Sequence, residues 1–297
     1  MLASISYKPI PIFELGPLNL SLHGLFAGLG FVAGALVWLR VARRRGFDEA
    51  KITSVLTWAL VGSILGARLF TIPAHLGDPG YGIGDALGLT GTFSIMGGFA
   101  GGILTGVWRF RAENMTMHAH FDMASFGLAV GTIVGRVGDL FIVEHLGGRT
   151  DFFLGFLLKP GYEPAPQHAG LQRFCDLGET CGPYHHAALY DMLGAALLLG
   201  VLWLVSRYWS RLRYGMLFGI WVGWYGMQRF LIDFTRNTDL PGADATAGPL
   251  TWSQWSGLTL GVLALATVVG VQVRKVTPLV SHEQDVTYGA EPVPVES

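Results

Sequence analysis

Long apolar runs alternate with short polar ones from about Leu18 to Val273, and this alternation predicts the architecture. Seven runs come close to the ~20 residues that a helix needs to cross a hydrocarbon core. They cover residues 18–39, 52–72, 93–108, 121–138, 187–205, 215–234 and 252–273. Basic residues close the first run (Arg40, Arg43, Arg44, Arg45), the third (Arg109, Arg111), the fifth (Arg207, Arg211, Arg213) and the seventh (Arg274, Lys275). Between the fourth and fifth lies a polar stretch, about residues 139–184, long enough for a small extramembrane subdomain. The tail, 276–297, is polar and acidic and is expected to be disordered. The opening residues, 1–17, lack the basic n-region of a secretory signal, so no leader is expected to be removed.

Composition agrees with this pattern. Charged residues are 14% of the 297, hydrophobic residues 51%, and the mean hydropathy is +0.44. Soluble domains run nearer a quarter charged, so the reading is an all-α integral membrane protein with one polytopic domain over residues 1–275. The formal net charge of −1, with no basic stripe, removes nucleic acid as a partner. No metal-ligand spacing is visible and no cofactor is implied.

Lysine and arginine set the orientation. Twelve fall in the segments after spans one, three, five and seven, against five (Lys8, Arg149, Lys159, Arg173, Arg236) on the opposite side. The expected topology has the N-terminus outside, the C-terminus in the cytoplasm and the 139–184 insert outside. The only cysteines, Cys175 and Cys181, then lie in an oxidising compartment, where a disulfide is expected. A zinc pair is the other reading, although two thiols alone are an incomplete site.

Candidate chemistry concentrates in GTIVGRVGDLFIVEHLGGR, residues 131–149, where an uncharged helix runs into Arg136, Asp139, Glu144, His145 and Arg149. Ionisable groups at membrane depth are costly and mark sites or ion pairs. An arginine presents a fork of donors suited to phosphate. Arg68 and Arg229 are expected at the same level as Arg136, near Glu144, Asp191 and Asp233. Arg229 and Asp233 are four apart and share a helix face, so they can pair structurally or serve a site. His23 can face the same outer cavity or merely pack between helices, and the aromatics read as belts and packing.

Five segments, taken in order, resemble the prolipoprotein diacylglyceryl transferase family of bacteria. They are GARLF (66–70), GTFSIMGGFAGG (91–102), FGLAVGTIVGRVGD with Glu144 and Gly148–Arg149, HHAALYD (185–191) and YGMQRFLIDFTR (225–236). The resemblance implies an inner-membrane, multi-pass enzyme. It would move the diacylglyceryl group of phosphatidylglycerol onto the lipobox cysteine of a prolipoprotein signal peptide. The bond formed is a thioether and glycerol phosphate leaves. By the same resemblance Arg136 and Arg229 hold the phosphate, Gly138 and Gly148 shape the loop beside it, and Glu144 and Asp233 orient the arginines.

The sequence departs from the family at several of these positions. Met96 stands where the family carries histidine, Asp139 where it carries asparagine, and His23 where it carries tyrosine. One extra residue separates Asp139 from Arg149. His23, His185 and Glu144 are the candidates for the base that Met96 cannot supply. Two other readings stay open: a non-catalytic phospholipid-binding protein on the same fold, or a transferase with a different acceptor. A small transporter is a third, with no inverted repeat of broken helices to support it.

Overall fold

Glycines are spaced along the apolar runs so that helices can pack backbone to backbone, and this is how the chain assembles. The structure is a computed structural model that describes residues 5–10, 12–15, 18–72, 94–143, 146–160, 180–208, 213–236 and 246–273. Among these residues the long helices are α1 (Leu22–Arg44), α2 (Glu49–Leu69), α3 (Ile95–Ala112), α4 (Met117–Ile142), α5 (Ala187–Tyr208), α6 (Met216–Asp233) and α7 (Trp252–Val273). Each coincides with one of the seven apolar runs. Five of them, α1, α2, α4, α5 and α7, are long and apolar enough to cross a membrane. The protein is thus a mostly helical, multi-pass membrane protein.

The described residues form two compact units, one within 39–120 and one within 1–38 and 121–273. In the first, α2 and α3 pack along glycines. A Cβ on Gly66 would lie 2.3 Å from the Gly97 carbonyl oxygen, and one on Gly101 would lie 2.0 Å from that of Gly62. Small residues that let backbones approach are the usual glue between helices in lipid. Ser94 caps α3 by accepting from the Gly97 amide at 3.2 Å, and its own amide donates to the Ala67 carbonyl at 2.8 Å. Arg68 lies buried near the end of α2. Two of the five family-like segments therefore pack against each other.

In the second unit, Ala129 of α4 packs with Leu198 and Leu202 of α5 and Leu217 of α6 in a buried cluster. Asp122 on α4 accepts from the amides of Gly215 and Phe218 at 2.7 and 2.8 Å, placing a carboxylate at the N-terminus of α6. Gly215 adopts φ 92°, a conformation glycine takes without strain.

Short strands accompany the helices. β1 (Ile12–Leu15) pairs with β2 (Leu18–Ser21), and β6 (Thr246–Ala247) with β7 (Leu250–Thr251). The polar insert holds an antiparallel sheet of β3 (Leu146–Arg149), β5 (Cys181–His186) and β4 (Phe156–Leu158), in that spatial order. The N-terminal segment joins it: the Ile5 amide donates to the Gly155 carbonyl, and the Leu157 amide to that of Ile5, both at 2.9 Å. Val143, Leu146, Phe156, Leu158, Cys181 and Tyr184 form its buried core.

The structure corrects one boundary. α4 runs on through Leu140, Phe141 and Ile142, so Asp139 belongs to the helix and not to the insert. The three apolar residues after Asp139 continue the helical face, and Arg136 pairs with the carboxylate one turn on. Cys181 is disulfide-bonded. The chain's one other cysteine, Cys175, lies outside the described residues, as do Glu144, His145, the loop 73–90 and the tail 276–297.

Candidate active site

The close approach of α1 and α4 builds the first cluster. A Cβ on Gly30 would lie 2.6 Å from the Gly131 carbonyl oxygen, one on Gly34 2.7 Å from that of Gly127, and one on Gly138 2.8 Å from that of Leu22. Hydrogen alone fits at these positions, and the resulting contact carries His23 onto Asp139. His23 Nδ1 lies 2.5 Å from Asp139 Oδ1. Arg136, three residues before Asp139 on the same face, donates to its Oδ2 at 2.5 Å. The second terminal nitrogen of Arg136 lies 2.9 Å from Asp191 Oδ2 on α5. Gln228 Nε2, from α6, donates to the Oδ1 and the carbonyl of Asp191, both at 3.1 Å, and Trp224 Nε1 donates to Gln228 Oε1 at 2.8 Å.

One chain of polar contacts thus joins four helices, from His23 through Asp139, Arg136, Asp191 and Gln228 to Trp224. The side chain of Asp139 is 3% exposed and that of Asp191 9%, against 23% for Arg136. Two nearly buried carboxylates need a cation, since an unpaired buried charge costs several kcal/mol. Arg136 satisfies both with two of its donors, and a guanidinium has five.

The second cluster begins at the next residue of α6. Arg229 turns to α7, where its Nε donates to Ser253 Oγ at 3.0 Å. Its terminal nitrogen lies 3.7 Å from Asp233 Oδ1, and Arg236 Nε lies 3.2 Å from the same oxygen. Thr251 Oγ1 donates to Asp233 Oδ2 at 2.5 Å. Helices α6 and α7 approach at Gly226 and Gly257, where a Cβ would fall 2.5 and 2.7 Å from the opposing carbonyl. The Asp233 side chain is 1% exposed, while Arg229 and Arg236 are each about a quarter exposed. Two guanidiniums thus flank one carboxylate, which accepts ion pairs from both.

The sheet is docked on this end of α6. The Gly148 amide donates to the Thr235 carbonyl at 2.9 Å, and a Cβ on Gly147 would lie 2.0 Å from that oxygen. Arg149 follows, exposed, with its guanidinium carbon 6.0 Å from the centre of the Tyr184 ring. His185 Nδ1 lies 3.1 Å from Tyr190 Oη, and burial pulls the His185 pKa below its ordinary value. Tyr7 donates to the Leu140 carbonyl at 2.6 Å and meets His186 Nε2 at 3.0 Å; burial pushes its hydroxyl pKa up to about 12. A mostly apolar cavity of about 470 Å³ opens beside this tyrosine, between the N-terminal segment and Val137, Leu140, Phe141 and Leu189.

Comparison with known proteins decides the family. The family model for prolipoprotein diacylglyceryl transferase matches residues 11–270. The chain belongs to the prolipoprotein diacylglyceryl transferase family. It is similar to a phosphatidylglycerol–prolipoprotein diacylglyceryl transferase of Geobacter sulfurreducens, 29% identical over 273 residues, which cover 90% of this chain and 96% of that one. An enzyme of the same name from Pseudomonas fluorescens is 30% identical over 86% of this chain and 88% of its own. Another, from Thermus thermophilus, is 30% identical over 74% of this chain and 81% of its own.

Within this diacylglyceryl transferase fold, the residues singled out in the sequence fall into two groups. His23, Arg136, Gly138 and Asp139 come together, as do Arg229, Asp233 and the Gly148 strand. Arg136 and Arg229 belong to separate clusters, each with its own carboxylates. Glu144 lies outside the described residues, and of Met96 the structure describes only a backbone position in the first turn of α3.

The sequence reading did not single out Gln228, Trp224, Arg236, Thr251 or Ser253. Gln228 had a signal: it is an amide in an apolar span, four residues after Trp224 and adjacent to Arg229. Arg236 lies beyond the apolar run, so the sequence alone places it among the loop cations.

Proposed function

We propose that this protein transfers the diacylglyceryl group of phosphatidylglycerol to the lipobox cysteine thiol of prolipoproteins, forming a thioether and releasing glycerol phosphate. Family membership over residues 11–270 carries this reading. The two arginine clusters supply its chemistry. Displacement at the glycerol carbon leaves a phosphate monoester, whose extra negative charge gains from cations already in place. Arg229 and Arg236 around Asp233 hold the phosphate, with Gly148 on the strand beside them, and Arg136 stabilises the charge from the neighbouring cluster. Asp233 orients the two arginines.

The enzyme works in the bacterial inner membrane. Its partners are phosphatidylglycerol, the signal peptide of a prolipoprotein and the surrounding membrane lipids. We propose seven spans, with α3 and α6 completing the five more apolar helices. The N-terminus and the insert after α4 face outside; the tail, 276–297, follows a 1–275 membrane domain on the cytoplasmic side. The lysine and arginine bias supports this orientation.

Complementation tests the function. In bacteria depleted of their own transferase, expression of this chain should restore lipid modification of a reporter prolipoprotein. A reporter that stays unmodified, with the protein present in the membrane, overturns the assignment. The presence of two carboxylates on Arg136 favours one second reading, a phospholipid-binding protein without catalysis, which predicts phosphatidylglycerol binding and no modified reporter.

A further inference from the structure

Gln228 is an amide inside an apolar helix, where a polar group without partners is costly. Both ends of its side chain are engaged. Its Nε2 donates to the Oδ1 and to the backbone carbonyl of Asp191, both at 3.1 Å, and its Oε1 accepts from Trp224 Nε1 at 2.8 Å. These partners dictate which way the amide points. An indole N–H only donates, so the amide oxygen must face Trp224. A carbonyl and a carboxylate paired with arginine only accept, so the NH2 group must face Asp191. Gly194, one turn after Asp191 on α5, leaves the room: a Cβ there would lie 2.1 Å from Gln228 Oε1 and 2.4 Å from its Cδ. Asp191 is thereby held at both oxygens, Oδ1 by Gln228 and Oδ2 by Arg136 at 2.9 Å. The carboxylate cannot turn Oδ2 away from its arginine without breaking the bond at Oδ1. A neutral amide does this without competing for the carboxylate as a second cation would.

Resting on the transferase reading, we infer that Gln228 is a positioning residue for the transfer step: it acts through Asp191 on Arg136, and Trp224 sets its orientation. The two terminal nitrogens of Arg136 are each committed to a carboxylate, Asp139 on its own helix and Asp191 on α5. Two anchors on different helices fix the plane of the fork, and with it the direction of the donors left over. The charge that appears on the leaving phosphate oxygen gains from donors already aimed at it, and a fork displaced by about 1 Å loses much of that gain. Gln228 needs no contact with lipid or peptide for this role. Its signature is a fall in kcat with KM for the lipid unchanged, because the interaction lost is one made in the transition state.

The test uses the full-length protein in vesicles of varied phosphatidylglycerol content, with a lipobox peptide bearing one cysteine. Both kcat and KM are measured, beside thermal unfolding in detergent. Gln228→Ala should lower kcat about 10- to 100-fold, the scale of a misplaced group, with KM for the lipid unchanged. Gly194→Ala keeps every polar group and only displaces the amide, so it should give the same fall with little change in unfolding temperature. Trp224→Phe, which keeps a ring and removes the N–H, should show the same pattern to a lesser degree. Adding Gly194→Ala to Gln228→Ala should cost nothing further, since no amide remains to displace. Gly200→Ala, on the same helix with open space at its Cβ position, is the control and should match the unaltered protein. Undiminished kcat in Gln228→Ala or in Gly194→Ala overturns the inference and leaves the transferase reading intact. A full second loss in the double variant also overturns it, as does a rise in KM with kcat unchanged. Activity that falls only as folded protein is lost overturns it too, since that marks Gln228 as structural. If the unaltered protein modifies no peptide, the transferase reading falls and this inference falls with it.

Discussion

Arg136 carries two responsibilities that substitution can separate. It neutralises Asp139 and Asp191, both nearly buried, and in the proposed reaction it offers positive charge to the leaving phosphate. Arg136→Ala should abolish lipid transfer, a loss of at least about 100-fold by the scale of removed charge-stabilising donors. It should also destabilise the fold by about 3–5 kcal/mol, because two carboxylates lose their cation. Thermal unfolding in detergent beside a transfer assay reads both. Arg136→Lys keeps the charge but loses the fork, so it should recover stability more than activity.

Tyr7 gives the pH dependence at this scale. Its folded pKa, about 12, is raised above the ordinary tyrosine value of 10 by burial. The unfolded chain therefore releases this proton first, and the contribution of Tyr7 is complete below pH ~10 and lost as pH rises toward the folded value. Stability measured from pH 9 to about 12 should fall less steeply in Tyr7→Phe than in the unaltered protein. Parallel slopes would contradict the burial of that hydroxyl.

At the scale of elements, the site depends on how closely helix backbones approach. Gly138 has hydrogen where a Cβ would meet the Leu22 carbonyl at 2.8 Å and the Phe26 Cβ at 2.8 Å. Gly138→Val should push α1 from α4, cost about 1–3 kcal/mol as overpacking does, and move His23 off Asp139. Gly135, on the same helix with open space around its Cβ position, is the control: Gly135→Ala should leave stability nearly unchanged. A similar loss in both variants would argue against the close approach at Gly138.

The helices themselves were legible in the sequence because each apolar run has the length of a span and most end in arginines. Their contacts were not. A run of small residues says that two helices can touch but not which two, and the pairing of α1 with α4 depends on residues about a hundred positions apart. The Arg229–Asp233 pair was legible, being one helical turn apart. The approach of Arg136 to Asp191, and of His23 to Asp139, crosses helices and leaves no local signature. Asp139 looked like the first residue of a loop because its charge ends the apolar pattern. Paired with Arg136, it continues the helix instead.

For the whole molecule, the proposed orientation rests on the distribution of positive charge. Phe153, exposed in the insert, and Arg45, just after α1, should lie on opposite sides of the membrane. In intact spheroplasts an impermeant maleimide should label Phe153→Cys and spare Arg45→Cys until the membrane is opened. The reverse pattern would invert the topology.

The most direct test of the central claim is lipid transfer by the purified protein. It is mixed with phosphatidylglycerol and a lipobox peptide bearing one cysteine, and the peptide mass is followed. The prediction is a diacylglyceryl mass gain on the cysteine, with glycerol phosphate released in equal amount. A folded preparation that binds phosphatidylglycerol and leaves the peptide mass unchanged would contradict it.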